Sequence, residues 1–395
     1  MRYLRIHILR IIEEYKGTVP LAHYLKNYCR NYPKLGSRDR KLLSEMAYSF
    51  YRFSKGLKGE LEVEKKLKAC LYLSENNLPS QEKLLPQEWL PKPISFQEKI
   101  KILRQHQILF TPEHSSSITS SLSQGITLEE WSNSLLQQPR LFIRIRKNHK
   151  AIQSLLQTNN IAFEKLVEDC YALPNAAAID KLLQPADYVV QDASSQSTGN
   201  YFLPKPKEHW WDVCSGAGGK SLLLKDLEPN VQLTVTDVRA SILHNLSERF
   251  RLYGHAQPHK IVADIADKLS LPKDIALKQF DNIICDVPCT GSGTWARTPE
   301  QAYFFKETTV LSFSERQQKI LLNAASHLKE QGRLIYITCS VFKEENENVV
   351  LHVASQINFE VISMQLINGI PHKADCMFVA VMRKQHLRTH INSKP

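Results

Sequence analysis

Cys289 stands in the run Asp286-Val-Pro-Cys-Thr-Gly-Ser-Gly-Thr-Trp-Ala-Arg-Thr-Pro299, and Cys339 stands in Ile337-Thr-Cys-Ser340. Each cysteine lies just past a short apolar run that reads as a buried strand, Phe280 to Cys285 and Leu334 to Ile337. Ligands of open parallel sheets bind at the carboxyl ends of strands, so this spacing predicts two thiols in one pocket. One sulfur could then attack a substrate while the other helps to release it.

Upstream, Asp212-Val-Cys-Ser-Gly-Ala-Gly-Gly-Lys220 follows a predicted strand and opens a predicted helix. Glycines there let the backbone approach a ligand, and a helix N-terminus offers unpaired N–H groups. The run matches neither the P-loop spacing nor Gly-x-Gly-x-x-Gly, so a phosphate cradle is not expected. Asp237 ends the next predicted strand, where a carboxylate can accept both hydroxyls of a ribose. Asp264 ends the third, within reach of an adenine amino group. In series after a glycine turn, the two describe an adenosine-type cofactor site with no phosphate requirement.

These residues need a scaffold, and from residue 206 the pattern supplies one. Strands are predicted at Trp210–Cys214, Gln232–Thr236, Lys260–Ala263, Asp281–Cys285 and Arg333–Thr338, with helices at Gly219–Leu227 and Arg239–Tyr253. A further helix is expected to be capped by Ser314-x-x-Gln317 and stopped by Gly332. Alternating strands and helices imply an α/β, Rossmann-like fold with a mostly parallel sheet. Phe359–Leu366 and Cys376–Met382 would close it as an antiparallel pair. Ahead of this domain (206–385), residues 126–205 read as a small α/β unit, with Leu141–Arg146 its clearest strand. Residues 1–125 read as helical, with an irregular connection at 76–98, and 386–395 as a disordered tail. Ser37 is expected to cap the second helical face, and Tyr3, Leu4, Ile6, Leu9, Ile11 and Ile12 to form the first.

The chain of 395 residues is 43% hydrophobic and 23% charged, which suits a soluble protein of two or three domains. Its formal net charge of +11 favours a polyanionic partner. Residues 1–60 carry 13 Lys/Arg against 5 Asp/Glu, so most of the excess sits at the N-terminus, either as a solvated helical surface or as a grip on RNA backbone. Arg144, Arg146, Lys147 and Lys150 are further candidates to face RNA. No run approaches the ~18 apolar residues of a membrane span and no secretory signal is visible, so a cytoplasmic location is expected. The eight cysteines lack metal-type spacing, and no metal is expected.

Three segments together resemble a known family: 212–220 above, Asp-Val-Pro-Cys-Thr-Gly-Ser-Gly-Thr at 286–294, and Thr-Cys-Ser-Val-Phe-Lys-Glu-Glu-Asn-Glu at 338–347. In order and spacing they are similar to the Sun/Nop-type, RsmB-like RNA cytosine-5 methyltransferases, over residues 140–385. Gln191-Asp-Ala-Ser-Ser-Gln196 also resembles a segment that family carries before its catalytic domain. The basic N-terminal helices, with Gly36-Ser-Arg-Asp-Arg-Lys41, are similar to the NusB-like RNA-binding domain fused to some members.

The resemblance implies S-adenosylmethionine as cofactor, held by Cys214, Ser215, Gly216, Ala217, Gly218, Gly219 and Lys220 with Asp237, Asp264 and Asp286. It implies RNA as partner, ribosomal RNA ahead of transfer RNA, with no membrane and no obligate protein partner. It makes Cys339 the nucleophile. One departure stands out: Ser215-Gly-Ala217 replaces the family's usual Ala-Ala-Pro, which predicts a less rigid turn. Cytosine C5 becomes nucleophilic only after a thiolate adds to C6. Cys339 would add, Asp286 would hold the N3/N4 edge of the base, and Cys289 would assist elimination. Trp295 and Arg297 are candidates for stacking and backbone contacts. Glu344, Glu345 and Glu347 read as the start of a solvated helix. Two rivals remain open: a DNA cytosine-5 methyltransferase with Cys289 as nucleophile, and a non-catalytic RNA-binding assembly factor.

Overall fold

The structure is a computed structural model that describes residues 2–75, 83–92, 95–112 and 118–385. The connection expected at 76–98 lies partly outside these residues, and the expected tail lies wholly outside them. Contacts divide the chain into two units, Met1–Thr119 with Thr127–Gln138 and Thr294–Glu307, and Ser120–Ile126 with Pro139–Gly293 and Thr308–Pro395.

The first unit is helical: Arg2–Glu14, Leu21–Asn31, Ser37–Phe53, Val63–Leu73, Phe96–Gln105, Leu128–Leu135 and the short Pro299–Phe304. Leu42, Leu43, Met46, Ala47 and Phe50 are buried together as their helical spacing requires. The first helix buries a narrower stripe than expected, Leu4, Ile8 and Ile11, and leaves Tyr3 and Ile6 exposed. Gly36, not Ser37, is the cap, and its N–H donates to the Asp39 carboxylate at 3.3 Å.

Residues 294–307 are built into this unit. Trp295 packs on Trp131 at 5.6 Å and on Phe305 at 4.7 Å between ring centroids, and is 2% exposed. It is therefore core and not the stacking platform expected from its position in the motif. Leu21 N–H donates to the buried Glu300 carboxylate at 3.2 Å, and Lys55 Nζ donates to Ala302 O at 2.8 Å. Gly17, at φ +74°, lets Phe304 lie where any Cβ would collide.

In the second unit β1 (Leu141–Ile145), β2 (Glu164–Lys165), β3 (Cys170–Leu173) and β4 (Tyr188–Val190) form an antiparallel sheet in the order β2-β3-β1-β4. A seven-stranded sheet follows, made of β5 (His209–Asp212), β6 (Gln232–Asp237), β7 (His259–Val262), β8 (Phe280–Asp286), β9 (Leu328–Thr338), β10 (Phe359–Asn368) and β11 (Cys376–Lys384). Its order is β10-β11-β9-β8-β5-β6-β7; β5 to β9 run parallel and β11 runs antiparallel between β9 and β10. This is the α/β, mostly parallel architecture that the alternation of strands and helices predicts. Alternation along the central strands buries both faces: Trp211, Ile283, Leu334 and Tyr336 on one side, Trp210, Ile284, Ile335 and Ile337 on the other.

The boundary expected at 205/206 does not divide the contacts, because the small sheet is tied to the large one. Arg144 and Arg146 of β1 and its extension pair with Asp226 at 2.6 and 2.7 Å, and His255 joins at 2.7 Å. Burial alone would raise the Asp226 carboxyl, but hydrogen bonds from His255 and Arg146 and both arginine charges hold it well below the usual range. Arg144 and Arg146 are thus structural and do not face RNA, whereas Lys147 and Lys150 are exposed. Ser194 Oγ also donates to Asp375 O at 2.7 Å.

Two signals were misplaced. Helix Thr308–Ala325 runs through Ser314, whose hydroxyl donates to Glu344 O instead of capping. Gly332 lies inside β9, where the register against β8 shifts and a Cβ would meet Asp281 O at 2.8 Å.

Candidate active site

The strand order reverses between β5 and β8, the switch point at which open α/β sheets bind ligands. Asp212 ends β5, Asp237 ends β6, Asp286 ends β8 and Thr338 ends β9, so the expected residues gather at one rim.

After β5 the chain turns through Gly216 (φ +51°) and Gly218 (φ +82°) into helix Gly219–Leu227. A Cβ at Gly218 would meet Leu246 at 2.9 Å, so this glycine serves packing. Cβ atoms at Gly216 and Gly219 would enter open space, which leaves backbone exposed over the rim. Asp237 accepts Gly216 N–H at 3.1 Å and Arg239 N–H at 3.0 Å, and Arg239 Nε folds back on it at 3.0 Å. Asp264 accepts Ala266 N–H at 3.0 Å and both its oxygens receive Arg316 Nη2 at 2.9 Å. Both carboxylates are therefore covered by half-exposed arginines that would have to share them with a ligand.

Lys220, buried in the first turn of its helix, places Nζ 3.2 Å from Asp286 Oδ2 and donates to Ser195 Oγ at 2.9 Å. Ser195 belongs to the Gln191–Gln196 segment, so that run carries the third member of a Ser195–Lys220–Asp286 chain.

Cys289 and Cys339 place their sulfurs 3.3 Å apart, each partly exposed. The hydrogen bond with Cys339 and burial push the Cys289 thiol well up, and the neighbouring Glu345 charge adds to this. Gly293 permits the approach: its N–H donates to Cys339 O at 2.9 Å, and a Cβ there would meet Cys376 O at 2.2 Å. Among the described residues, no group of three or more His, Cys, Asp or Glu is arranged to hold a metal ion. No described helix is long and apolar enough to cross a membrane.

Comparison with known proteins bears on these motifs. The family of the 16S rRNA methyltransferases RsmB/F matches residues 200–383. Ribosomal RNA small subunit methyltransferase B of Escherichia coli O6:K15:H31 is 28% identical over 217 residues, 53% of this chain and 50% of that protein. The Klebsiella pneumoniae protein of the same name is 27% identical over 221 residues, 54% and 50% of the two chains. The chain thus spans about half the length of the curated relatives it matches. Among solved structures, that of PH0851 matches with a TM-score of 0.70 at 18% identity, covering 95% of this chain and 97% of the other. NSun6 from Pyrococcus horikoshii with SFG matches with a TM-score of 0.59 at 13% identity, covering 66% and 94%. At these identities the likeness is one of fold.

Three hydrogen bonds hold the turn at Ser215-Gly-Ala217. Ser215 N–H donates to Thr236 O at 2.9 Å, Ser215 Oγ to the same oxygen at 3.2 Å, and Arg249 Nη1 to Ala217 O at 2.7 Å. Hydrogen bonds thus order this turn where the resembled family has a proline.

The acidic run after Cys339 overturns its reading as a solvated helix start. Glu345 is fully buried, Glu347 is 8% exposed, and the helix begins only at Glu347. Glu347 accepts Ser123 Oγ at 2.8 Å and Gln124 N–H at 3.1 Å, and Glu344 accepts Ser121 N–H at 3.0 Å. Read as solvated, Glu345 carries no functional expectation from the sequence. The available signal was its neighbourhood: four hydroxyl-bearing residues, Thr290, Ser292, Thr338 and Ser340, flank the two cysteines and need acceptors.

Asp212 is also fully buried, with Ser221 Oγ donating to Oδ2 at 2.6 Å and Oδ1 without a partner. Burial pushes its carboxyl up to about 7 from 3.8. Between these pH values the folded protein holds a proton that the unfolded chain has released, so stability falls as pH rises through the window. At ~1.4 kcal/mol per pH unit the loss is at most about 4 kcal/mol. Asp212→Asn should flatten thermal stability between pH 5 and 8; a slope equal to the wild type's would refute the assignment.

Proposed function

We propose that the protein transfers a methyl group from S-adenosylmethionine to C5 of cytosine in RNA, with ribosomal RNA the favoured substrate. The observation that carries this reading is the pair of sulfurs 3.3 Å apart at the ends of β8 and β9, beside Asp286 and Lys220. A pair of thiols with a carboxylate at the same sheet rim suits addition to C6 followed by elimination.

The donor supplies an electrophilic methyl when bound. Its fit rests on the open backbone at Gly216 and Gly219, on Asp237 at the end of β6 and on Asp264 two residues past the end of β7. Cys339 Sγ adds to C6 of the base, and the C5=C6 electrons move to C5. Asp286 accepts from the N4 amino group and orients the ring, while Lys220 fixes Asp286. After transfer the C5 proton passes to water, its electrons restore C5=C6, and the Sγ–C6 bond breaks with its electron pair going to the Cys339 sulfur. Cys289, kept as a thiol, donates to the departing Cys339 sulfur.

Asp237→Ala and Asp264→Ala should each weaken S-adenosylmethionine binding about tenfold or more, because a hydrogen bond to a charged group is worth ~1.5–3 kcal/mol. Titration calorimetry measures this, and unchanged binding in both variants would remove the cofactor site from this rim. For the substrate, bisulfite sequencing of ribosomal and transfer RNA from cells with and without the gene should show one cytosine that loses protection. Identical patterns would defeat the proposal.

A further inference from the structure

We propose that Glu345 is the positioning residue of the paired thiols, one buried carboxylate that sets the separation of Cys289 and Cys339 by binding the residue that follows each of them. The proposal rests on the paired-thiol reading above and adds a group that never touches substrate.

Glu345 Oε1 accepts Thr290 N–H at 2.9 Å and Gln317 Nε2 at 3.1 Å. Oε2 accepts Thr290 Oγ1 and Ser340 Oγ, each at 2.5 Å. Thr290 is bonded to Cys289 and Ser340 to Cys339, so a single planar group fixes both loops. Gln317 Nε2 also donates to Pro288 O at 2.9 Å, which holds the other side of Cys289. The Glu345 backbone is fixed in turn, since Tyr336 Oη donates to its carbonyl at 2.6 Å. Two hydroxyls, Ser292 and Ser340, lie 3.0 Å apart across the loops and complete the lattice.

A carboxylate taken out of water costs several kcal/mol even when well paired, and apolar replacements of buried ions are often neutral or stabilising. Stability alone therefore gives little reason for Glu345. Geometry does: the donors come from three separate segments, after β8, after β9 and from helix Thr308–Ala325, and only an acceptor with two oxygens meets all of them. Thiol addition and release within one pair tolerate little displacement, since about 1 Å of misplacement can cost about a hundredfold in rate.

The test uses full-length protein with two readouts. Glu345→Leu should lower kcat about a hundredfold while KM for RNA and for S-adenosylmethionine stays within about twofold. Glu345→Gln should recover most of the rate, because one oxygen can still take Thr290 N–H and Gln317 while the two hydroxyls rotate to accept from its amide. Independently of methyl transfer, mass spectrometry in glutathione redox buffers reports how readily Cys289 and Cys339 pair as a disulfide. That tendency should fall about tenfold in Glu345→Leu and be retained in Glu345→Gln. Unchanged kcat with unchanged thiol pairing in Glu345→Leu would overturn the proposal, and so would equal loss in the Leu and Gln variants. If wild type pairs its thiols but transfers no methyl, the proposed function fails while the pairing readout still decides the clamp. Should Glu345→Leu not fold, Ser340→Ala, which deletes one donor and opens little space, carries the same two readouts.

Discussion

Cys339→Ala is expected to abolish turnover and covalent attachment together, whereas Cys289→Ala is expected to accumulate a denaturation-resistant protein–RNA adduct. The asymmetry follows from the chemistry assigned to sulfurs only 3.3 Å apart. Without Cys339 no bond forms at C6, C5 never becomes nucleophilic, and neither product nor adduct appears. Without Cys289 the attack proceeds, the methyl is transferred, and the Cys339 sulfur then has no donor as it leaves. A denaturing gel with labelled RNA measures both outcomes. If Cys289 were the nucleophile, as in a DNA-type mechanism, the adduct would vanish in the Cys289 variant and persist in the Cys339 variant. A binding-only protein would give no adduct from any variant.

The fold was legible wherever the chain's own periodicity carries the information. Short apolar runs ending in Asp212, Asp237 and Asp286 mark strands buried on both faces, and a helix opening at Gly219 needs no partner to be recognised. The gathering of the site was legible for the same reason, since parallel strands bring their carboxyl ends to one rim. What escaped was the identity of distant partners. Arg144 and Arg146 look like an RNA-facing pair until Asp226, 80 residues from Arg146, pairs with both and His255, 109 residues from Arg146, joins it. Ser314 has the spacing of a cap, yet its helix begins earlier and its hydroxyl answers a carbonyl after β9. Glu345 is the strongest case, because an acidic run normally means solvent, and the hydroxyls of Thr290 and Ser340 ask for an acceptor without naming which one the fold brings to them. Charged residues are the least readable class here, since their placement depends on which opposite group the tertiary fold delivers.

The basic surface of the helical unit yields a prediction of comparable size. Lys34, just ahead of helix Ser37–Phe53, and Arg38 and Lys41 in its first turns are exposed. Arg52, by contrast, is buried and donates to Leu135 O and Gln137 O at 2.8 Å, and Arg40 Nε donates to Leu35 O, so neither belongs in the test. Deleting the whole unit would be a poor experiment. Residues 294–307, which continue the chain from the Cys289 loop, take their packing from Tyr15, Gly17, Tyr51 and Trp131. Charge reversal leaves that packing alone. If each of the three side chains neutralises a phosphate, each contributes ~0.7 to the slope of log affinity against log salt on single-stranded RNA. Lys34→Glu, Arg38→Glu and Lys41→Glu combined should then reduce the slope by ~2 and weaken RNA binding about a hundredfold at low salt. S-adenosylmethionine affinity should not change, because none of the three belongs to the cofactor rim. Filter binding across a salt series reads both quantities, and an unaltered affinity and slope would mean that these side chains serve hydration alone.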